Sequence, residues 1–178
     1  MPAYAALLRA INLGSRNKIS MPDLRALFED LGAKDVRTHV QSGNVVFRSP
    51  ERSPARLVTA IEQKISSDLG LDVKVLLRTA AQLDKVVRDS PFATSADASD
   101  VHVTFLADSP AAERVAAIDP SKIEPDRFAV VGREVHLHCP NGYGRSKLSN
   151  AFLEKKLGQP GTTRNWRTVT TLADMAKG

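Results

Sequence analysis

Apolar positions along the chain fall into blocks of two periods, one suited to strands and one to helices. Tyr4 to Ile11 is an apolar run broken by Arg9 and followed by Asn12, which predicts a mostly buried strand entering a polar loop. From Met21 to Leu31 the spacing becomes helical. Leu24, Leu27, Phe28 and Leu31 make one stripe, Ser20 stands at the cap position, and Pro22 sits where a missing backbone donor is harmless. Gly32 ends that pattern. Val36 to Val40 and Val45 to Phe47 return to strand character, and Gln41-Ser42-Gly43-Asn44 between them suits a tight hairpin. Ser53-Pro54 opens a second helix with Leu57, Ile61 and Ile65 facing inward and Leu69-Gly70 at its close. Val73, Val75 and Leu77 then mark a strand over Asp72 to Leu77.

Strand, helix, strand, strand, helix, strand is the ferredoxin-like order. Thr79 to Asp89 reads as a connecting helix and Ser90 to Ser99 as a breaker-rich link. The order then restarts. Val101 to Leu106 is a strand, Pro110 to Ile118 a helix, and Phe128 to Val131 with Glu134 to Cys139 a hairpin around Gly132-Arg133. Lys147 to Leu157 is a helix with Leu148, Phe152 and Leu157 inward. Thr162 to Asn165 is a short strand, and Trp166 to Ala176 a terminal helix. The expected fold is α/β of the α+β type: two ferredoxin-like subdomains with antiparallel sheets and a C-terminal helix. The subdomains are expected at residues 1–78 and 100–178, with a connecting helix and linker at 79–99. Helices on one side of each sheet leave loops, or the opposite sheet faces, for a partner.

At 178 residues with 42% apolar composition, the chain can bury a real core. Its net charge of +5 is a weak pointer to anionic partners, but the charge is segregated. Asp100 to Asp126 holds six acids and two bases, whereas Tyr143 to Arg167 holds six bases and one acid. Cys139 is the single cysteine, so no internal disulfide, redox pair or zinc motif is available. The first residues lack a basic prefix and a long apolar core, which makes cytoplasmic residence the economical reading. No apolar stretch approaches membrane-spanning length, and no membrane role, cofactor or metal is expected.

The richest stretch chemically is Asn141-Gly142-Tyr143-Gly144-Arg145-Ser146-Lys147, between a strand and a helix. Its glycines allow close backbone approach to an anion, a helix starting near Ser146 would expose unpaired amides, and Arg145 and Lys147 add charge. The spacing matches neither a Walker loop nor a dinucleotide fingerprint. The bland alternative is an ordinary turn with Ser146 as N-cap and solvated cations. Thr162-Thr163-Arg164-Asn165-Trp166 follows the same helix; Tyr143 and Trp166 offer rings beside cations, suited to stacking on a base or on a guanidinium, while Trp166 is equally suited to anchoring the last helix. Near the N-terminus, Arg9, Asn12, Asn17 and Lys18 form a second anion-reading candidate, with Gln41, Ser42 and Asn44 adding directed hydrogen bonds or stabilising their own loops. His138 and Cys139, as strand neighbours, face opposite ways, so His138 is a poor base for that thiol. His136 and His138 share a side but lack further metal ligands. Asp119, Glu124 and Asp126 have no recognisable acid-base spacing and suit a solvent-facing loop.

Leu8-Arg9-Ala10-Ile11-Asn12-Leu13-Gly14, then Asn17-Lys18 and Met21, with Gln41-Ser42-Gly43-Asn44-Val45-Val46-Phe47 and Thr162-Thr163-Arg164-Asn165-Trp166, together resemble the widespread bacterial domain-of-unknown-function family numbered 1697. The resemblance runs from the first strand to the terminal helix. It implies a pair of ferredoxin-like subdomains and brings no established reaction. Where such families often show Arg-Gly-Ile-Asn, this chain has Arg9-Ala10-Ile11-Asn12, so a glycine requirement at residue 10 does not carry over.

The leading expectation is non-catalytic recognition of nucleic acid or a phosphorylated small molecule. Tyr143, Arg145, Ser146, Lys147, Arg164, Asn165 and Trp166 would supply one site, and Arg9, Asn12, Lys18, Gln41, Ser42 and Asn44 an extension of it. Whether the chain is an enzyme stays open: one alternative is catalysis on a small anionic substrate in a cleft between subdomains, with Arg145 and Arg164 holding the anion. A structural or protein-interaction module is the third reading. A deep cleft gathering these side chains favours the enzyme, a broad exposed positive face favours polymer binding, and dispersed cations with a buried Trp166 favour the interaction module.

Overall fold

The computed structural model describes residues 1–12, 15–39, 43–93 and 98–178. The expected strands at Val36 to Val40 and the turn and link around them are therefore described only in part: Val40, Gln41, Ser42 and residues 94–97 lie outside the described residues.

The first half runs β1 (Ala3–Leu8), α1 (Met21–Asp30), β2 (Lys34–His39), β3 (Asn44–Arg48), α2 (Pro54–Leu69) and β4 (Val75–Thr79). Its strands pair antiparallel in the order β2-β3-β1-β4, with Leu7 opposite Asn44 and Leu8 opposite Val75. Local chemistry sets the helix starts. Ser20 Oγ accepts from the Asp23 amide at 3.2 Å and Ser53 Oγ from the Arg56 amide at 3.3 Å, each just ahead of a first-turn proline. Leu24, Leu27 and Phe28 of α1 and Leu57, Ile61 and Ile65 of α2 then cover one sheet face, packing on Tyr4, Ala6, Leu8, Val45, Phe47 and Leu77.

After α3 (Ala80–Arg88) the pattern repeats as β5 (Val101–Leu106), α4 (Ala112–Ala116), β6 (Arg127–Val131), β7 (Glu134–His138), α5 (Asn150–Leu157) and β8 (Gly161–Asn165), closed by α6 (Trp166–Lys177). The second sheet is again antiparallel, in the order β6-β7-β5-β8. Leu106, Val135, Leu137 and Cys139 meet Ile118, Ile123, Leu148, Leu153 and Leu157 in its core. The chain forms two compact units, residues 1–84 with 171–178, and residues 85–170. The expected fold class is what the structure has: α+β, two four-stranded antiparallel sheets of the βαββαβ kind, and a C-terminal helix.

Two expectations fail. The sheet faces turned away from these helices are not open surfaces: Ala5, Leu7, Val46 and Leu76 in the first sheet, and Val101, Val103, Phe105 and His136 in the second, are all buried. Alternation had to place these residues on the second face, and their apolar character already conflicts with a solvated one. The helix expected from Lys147 starts at Asn150, with Ser149 as its cap in place of Ser146.

Candidate functional site

Between β7 and α5 the chain makes a long connection, residues 139–149, pinned to the sheet at several points. The Cys139 amide donates to the Asp100 carbonyl at 2.9 Å, and the Gly142 amide to the Cys139 carbonyl at 3.0 Å. Gly142 takes φ 94°, ψ 141°, a conformation that a side chain would strain, and so redirects the chain into a 3-10 turn at Tyr143–Arg145. Ser146 Oγ donates to Asp126 Oδ2 at 2.7 Å and accepts from the Leu148 amide at 3.0 Å. That hydroxyl is thereby occupied, which is why capping passes to Ser149, whose Oγ accepts from the Phe152 amide at 3.2 Å. Lys147 Nζ donates to the Lys122 carbonyl at 3.1 Å, tying the connection to the preceding loop.

Tyr143 is the inward anchor. Its ring stacks on His102 with centroids 4.5 Å apart and planes 19° from parallel. Its hydroxyl hydrogen-bonds with Thr163 and with the backbone of Asn150. Thr163 Oγ1 also lies 2.7 Å from Thr104 Oγ1 and donates to Asn150 Oδ1 at 3.0 Å, while Asn150 Nδ2 donates to the Gly161 carbonyl. Burial pushes the Tyr143 phenol above its ordinary range, against the pull of those hydrogen bonds, and burial pushes the His102 imidazole down against the nearby Asp100 carboxylate. Both groups are therefore neutral near pH 7. They hold the loop in place.

The expected site residues divide. Arg145 is exposed, and among the described residues its side chain has no hydrogen bond or ion pair. Lys147 is exposed on the same loop. Arg164 is elsewhere: it pairs with Val103 whereas its neighbour Thr163 pairs with Thr104, so the pleat turns it to the face opposite Tyr143. There it is 8% exposed, with Nη1 donating to Thr162 Oγ1 at 2.6 Å and to the Thr163 carbonyl at 3.1 Å. Burial pulls its guanidinium down to about 10, so it remains a cation at neutral pH. Asn165 Oδ1 accepts from the Thr168 amide at 2.8 Å and caps α6, and Trp166 is buried, at 9% exposure.

In the first unit, Asn12 Nδ2 donates to the Ile19 carbonyl at 3.1 Å and its Oδ1 accepts from the Ile19 amide at 2.9 Å. Asn44 is fully buried and donates to the His39 carbonyl. Arg9 is half-buried and Lys18 exposed, while Gln41 and Ser42 lie outside the described residues. The asparagines thus have the local loop roles that short amide side chains suit.

Sequence reasoning overlooked Arg127. It is exposed at the start of β6, its Cζ 5.1 Å from the Phe92 ring centroid and its Nη2 3.2 Å from His138 Nδ1. The hairpin around Gly132 was the available signal, since it pairs Arg127 with His138. Cys139 is buried, and burial pushes its thiol up, which leaves it an inert thiol at neutral pH. Asp119 accepts from the Ser121 amide, a turn-capping role, whereas Asp126 positions Ser146. Among the described residues there is no group of three or more metal-ligating side chains, and no helix is long and apolar enough to cross a membrane.

A family described as "Protein of unknown function (DUF1697)" matches residues 1–136, which ends within β7 and before the loop just described. No curated protein matches the chain. Among solved structures, the chain is similar to the conserved bacterial protein SP0830 from Streptococcus pneumoniae, with 21% identity, a TM-score of 0.80 and 98% of each chain covered. That similarity shows the fold.

Proposed function

For a chain that belongs to the DUF1697 family, we propose non-catalytic binding of phosphate groups, carried by nucleic acid or by another phosphorylated ligand, at loop 142–147 of the second unit. The observation that carries this reading is Arg145: an exposed guanidinium with no partner among the described residues, on a loop whose inner side is fastened by Tyr143, Ser146 and Ser149. A fastened loop loses little conformational freedom when a ligand arrives, so more of the charge attraction appears as affinity. Lys147 adds a second cation, and the exposed Lys122 lies beside it through the 3.1 Å contact to its carbonyl. Recognition at this loop rests on charge and hydrogen bonding, since the Tyr143 ring is engaged by His102 and Trp166 is buried.

The test is fluorescence anisotropy with short RNA and DNA oligonucleotides and with inorganic polyphosphate, over a range of salt. Removing two phosphate contacts by Arg145→Ala with Lys147→Ala is expected to flatten the log affinity against log salt slope by roughly 1.5. Binding that is absent in low salt, or that the double substitution leaves unchanged, would sink the reading. The buried Trp166 favours a second one, a structural or protein-interaction module, to which such a result would move the weight.

A further inference from the structure

Each four-stranded sheet has two edges, and an open edge is a template for pairing with a further strand. Three of the four described edges are guarded. β2 carries Lys34, Asp35 and Arg37, and its register against β3 shifts between Lys34 and Arg37. On β4, Val75, Leu76, Leu77 and Arg78 are buried, and on β8 so are Gly161, Thr162 and Arg164. β6 is different. Arg127 stands at its start, but Phe128, Ala129, Val130 and Val131 follow without a charge, a proline or a register shift against β7, and all four are half-exposed.

The hairpin fixes which groups of β6 point outward. Val131 and Glu134 close the two-residue turn at Gly132-Arg133, and the first carbonyl of such a turn bonds to its fourth amide, which makes them a hydrogen-bonded pair. Bonded pairs alternate along an antiparallel ladder. Ala129 and Arg127 therefore bond to β7, whereas the amides and carbonyls of Phe128 and Val130 turn away from it. Among the described residues no other backbone segment bonds to them. Their side chains pack against the helix-covered core of the second unit, so the open edge continues an apolar layer that is already formed.

We infer that β6 is a homodimer interface, pairing antiparallel with β6 of a second copy about a two-fold axis through Ala129; this is independent of phosphate binding at loop 142–147. The occupant is a second copy because the strand is complementary to itself. Directly opposite residues share a sheet face, so a two-fold axis normal to the sheet must pass through a residue: 128, 129 or 130. Centred on Ala129, Phe128 meets the partner's Val130 and the reverse. That register uses every outward group of both strands in about four backbone hydrogen bonds and sets an aromatic beside a β-branched side chain. Ala129 meets its own small copy, Arg127 meets the partner's Val131, and the acidic Glu124 and Asp126 flank the partner's Arg133. Centring on Phe128 sets Val130 against the partner's Asp126, whose amide is already given to the Ile123 carbonyl at 2.9 Å. Centring on Val130 sets Arg127 against the partner's Arg133, a like-charge pair.

The experiment is sedimentation velocity of the full chain over a concentration series. One short strand per copy, opposed by a charge of +5 on each, is expected to give a reversible dimer with a Kd of about 10–100 μM. Val130→Pro removes an outward donor and leaves the β7 ladder intact, and Ala129→Lys sets two cations against each other at the axis; each is expected to raise the Kd at least tenfold, with folding checked by circular dichroism. The register is read by cross-linking with diamide, since Cys139 is buried. Two copies of Ala129→Cys would stand about 4.5 Å apart at Cα, within disulfide reach, whereas two copies of Val131→Cys would be offset by about 13 Å. Rapid dimer formation by the first and not the second supports the pairing. A parent chain that stays monomeric at about 500 μM, several times the expected Kd, overturns it. So does a dimer that survives both Val130→Pro and Ala129→Lys, or cross-linking of Val131→Cys as fast as that of Ala129→Cys.

Discussion

The two halves share a strand order and place their longest connections differently. In the first unit, residues 9–20 join the first strand to its helix, and only 49–53 join the third strand to the next one. In the second unit the proportions reverse, with 107–111 after the first strand and 139–149 after the third. Because first and third strands run antiparallel, the long connection leaves opposite ends of the two sheets. The means of stabilisation differ as well. The first loop is laced to itself: Asn12 bonds twice to Ile19, Asn17 Nδ2 donates to the Ala10 carbonyl, and Ala10, Asn12 and Asn17 all take positive φ. The second is fastened to the sheet by Tyr143 and to a neighbouring loop by Ser146, which leaves its cations outside. The first loop also leaves Arg16 and Lys18 exposed, so the two differ in how they are fastened and not in whether they present charge. The second is held by a ring and two serines, the first by its own asparagines.

The sharpest way to break that comparison is at the glycines. A Cβ on Gly43 would lie 2.7 Å from Ile11 Cδ1 and 2.9 Å from Leu8 Cβ, at φ 86°, so Gly43→Ala meets both a clash and backbone strain. Overpacking and left-handed strain together are expected to remove about 3–5 kcal/mol. Gly142→Ala meets open space, but φ 94° with ψ 141° lies outside the left-handed helical well in backbone that glycine alone enters readily, and it is expected to lose about 1–3 kcal/mol from strain alone. Urea denaturation of the two variants checks this. Equal losses would show that the first loop is not packed against its neighbouring turn.

Next in size is a pH effect confined to the second unit. His136 is 1% exposed, its Nδ1 has no hydrogen-bond partner, and burial pulls its imidazole from the usual 6.5 down to about 4, against the nearby Asp89 carboxylate. Between those two values the unfolded chain binds a proton that the folded chain refuses. Stability due to this group is therefore complete above pH 6.5 and falls as pH drops to about 4, by roughly 3 kcal/mol over the interval. Comparing urea midpoints of the parent and His136→Phe from pH 7 to 4 isolates it from the carboxylates, which titrate in both. Parallel curves would remove His136 as the cause.

Smaller again is the anchor itself. Tyr143→Phe keeps the ring over His102 and removes the hydroxyl that meets Thr163 and the Asn150 backbone. Loss of about 1–2 kcal/mol is expected from the polar groups left behind, together with faster amide exchange at residues 142–146. Unchanged exchange would mean that stacking alone fastens the loop.

What sequence revealed here follows the range of each interaction. Ser20, Ser53 and the Leu57, Ile61, Ile65 stripe were legible because caps and helix faces are set within a few residues. Ser146 and Ser149 are both chemically competent caps; what decides between them is Asp126, whose place beside Ser146 depends on tertiary structure. The separation of Arg164 from Tyr143 was latent in strand alternation, once the Thr163 to Thr104 register is known. For Arg127 the hairpin register pointed to His138 but not to Phe92, which comes from before β5 and meets it only in the folded unit. The cations of loop 142–147 were visible as composition; their exposure was not.

The smallest effect is expected at residue 10, where this chain's alanine departs from the glycine of the family pattern while the backbone keeps a glycine-like conformation. Ala10 holds φ 56°, in the left-handed region that glycine enters without steric penalty, although the chain carries alanine there. Relief of that strain in Ala10→Gly is worth about 1–2 kcal/mol, and the greater freedom of glycine in the unfolded chain takes back about 0.5–1. The net expectation is a gain of about 0.5–1 kcal/mol, read as a rise in the urea midpoint at unchanged slope. Stabilisation at Ala10 beside destabilisation at Gly142 would locate backbone strain in the first loop and its avoidance in the second. A loss at Ala10→Gly would instead mean that the methyl group contributes packing worth more than the strain, and that the self-laced loop is held by contacts as well as by its asparagines.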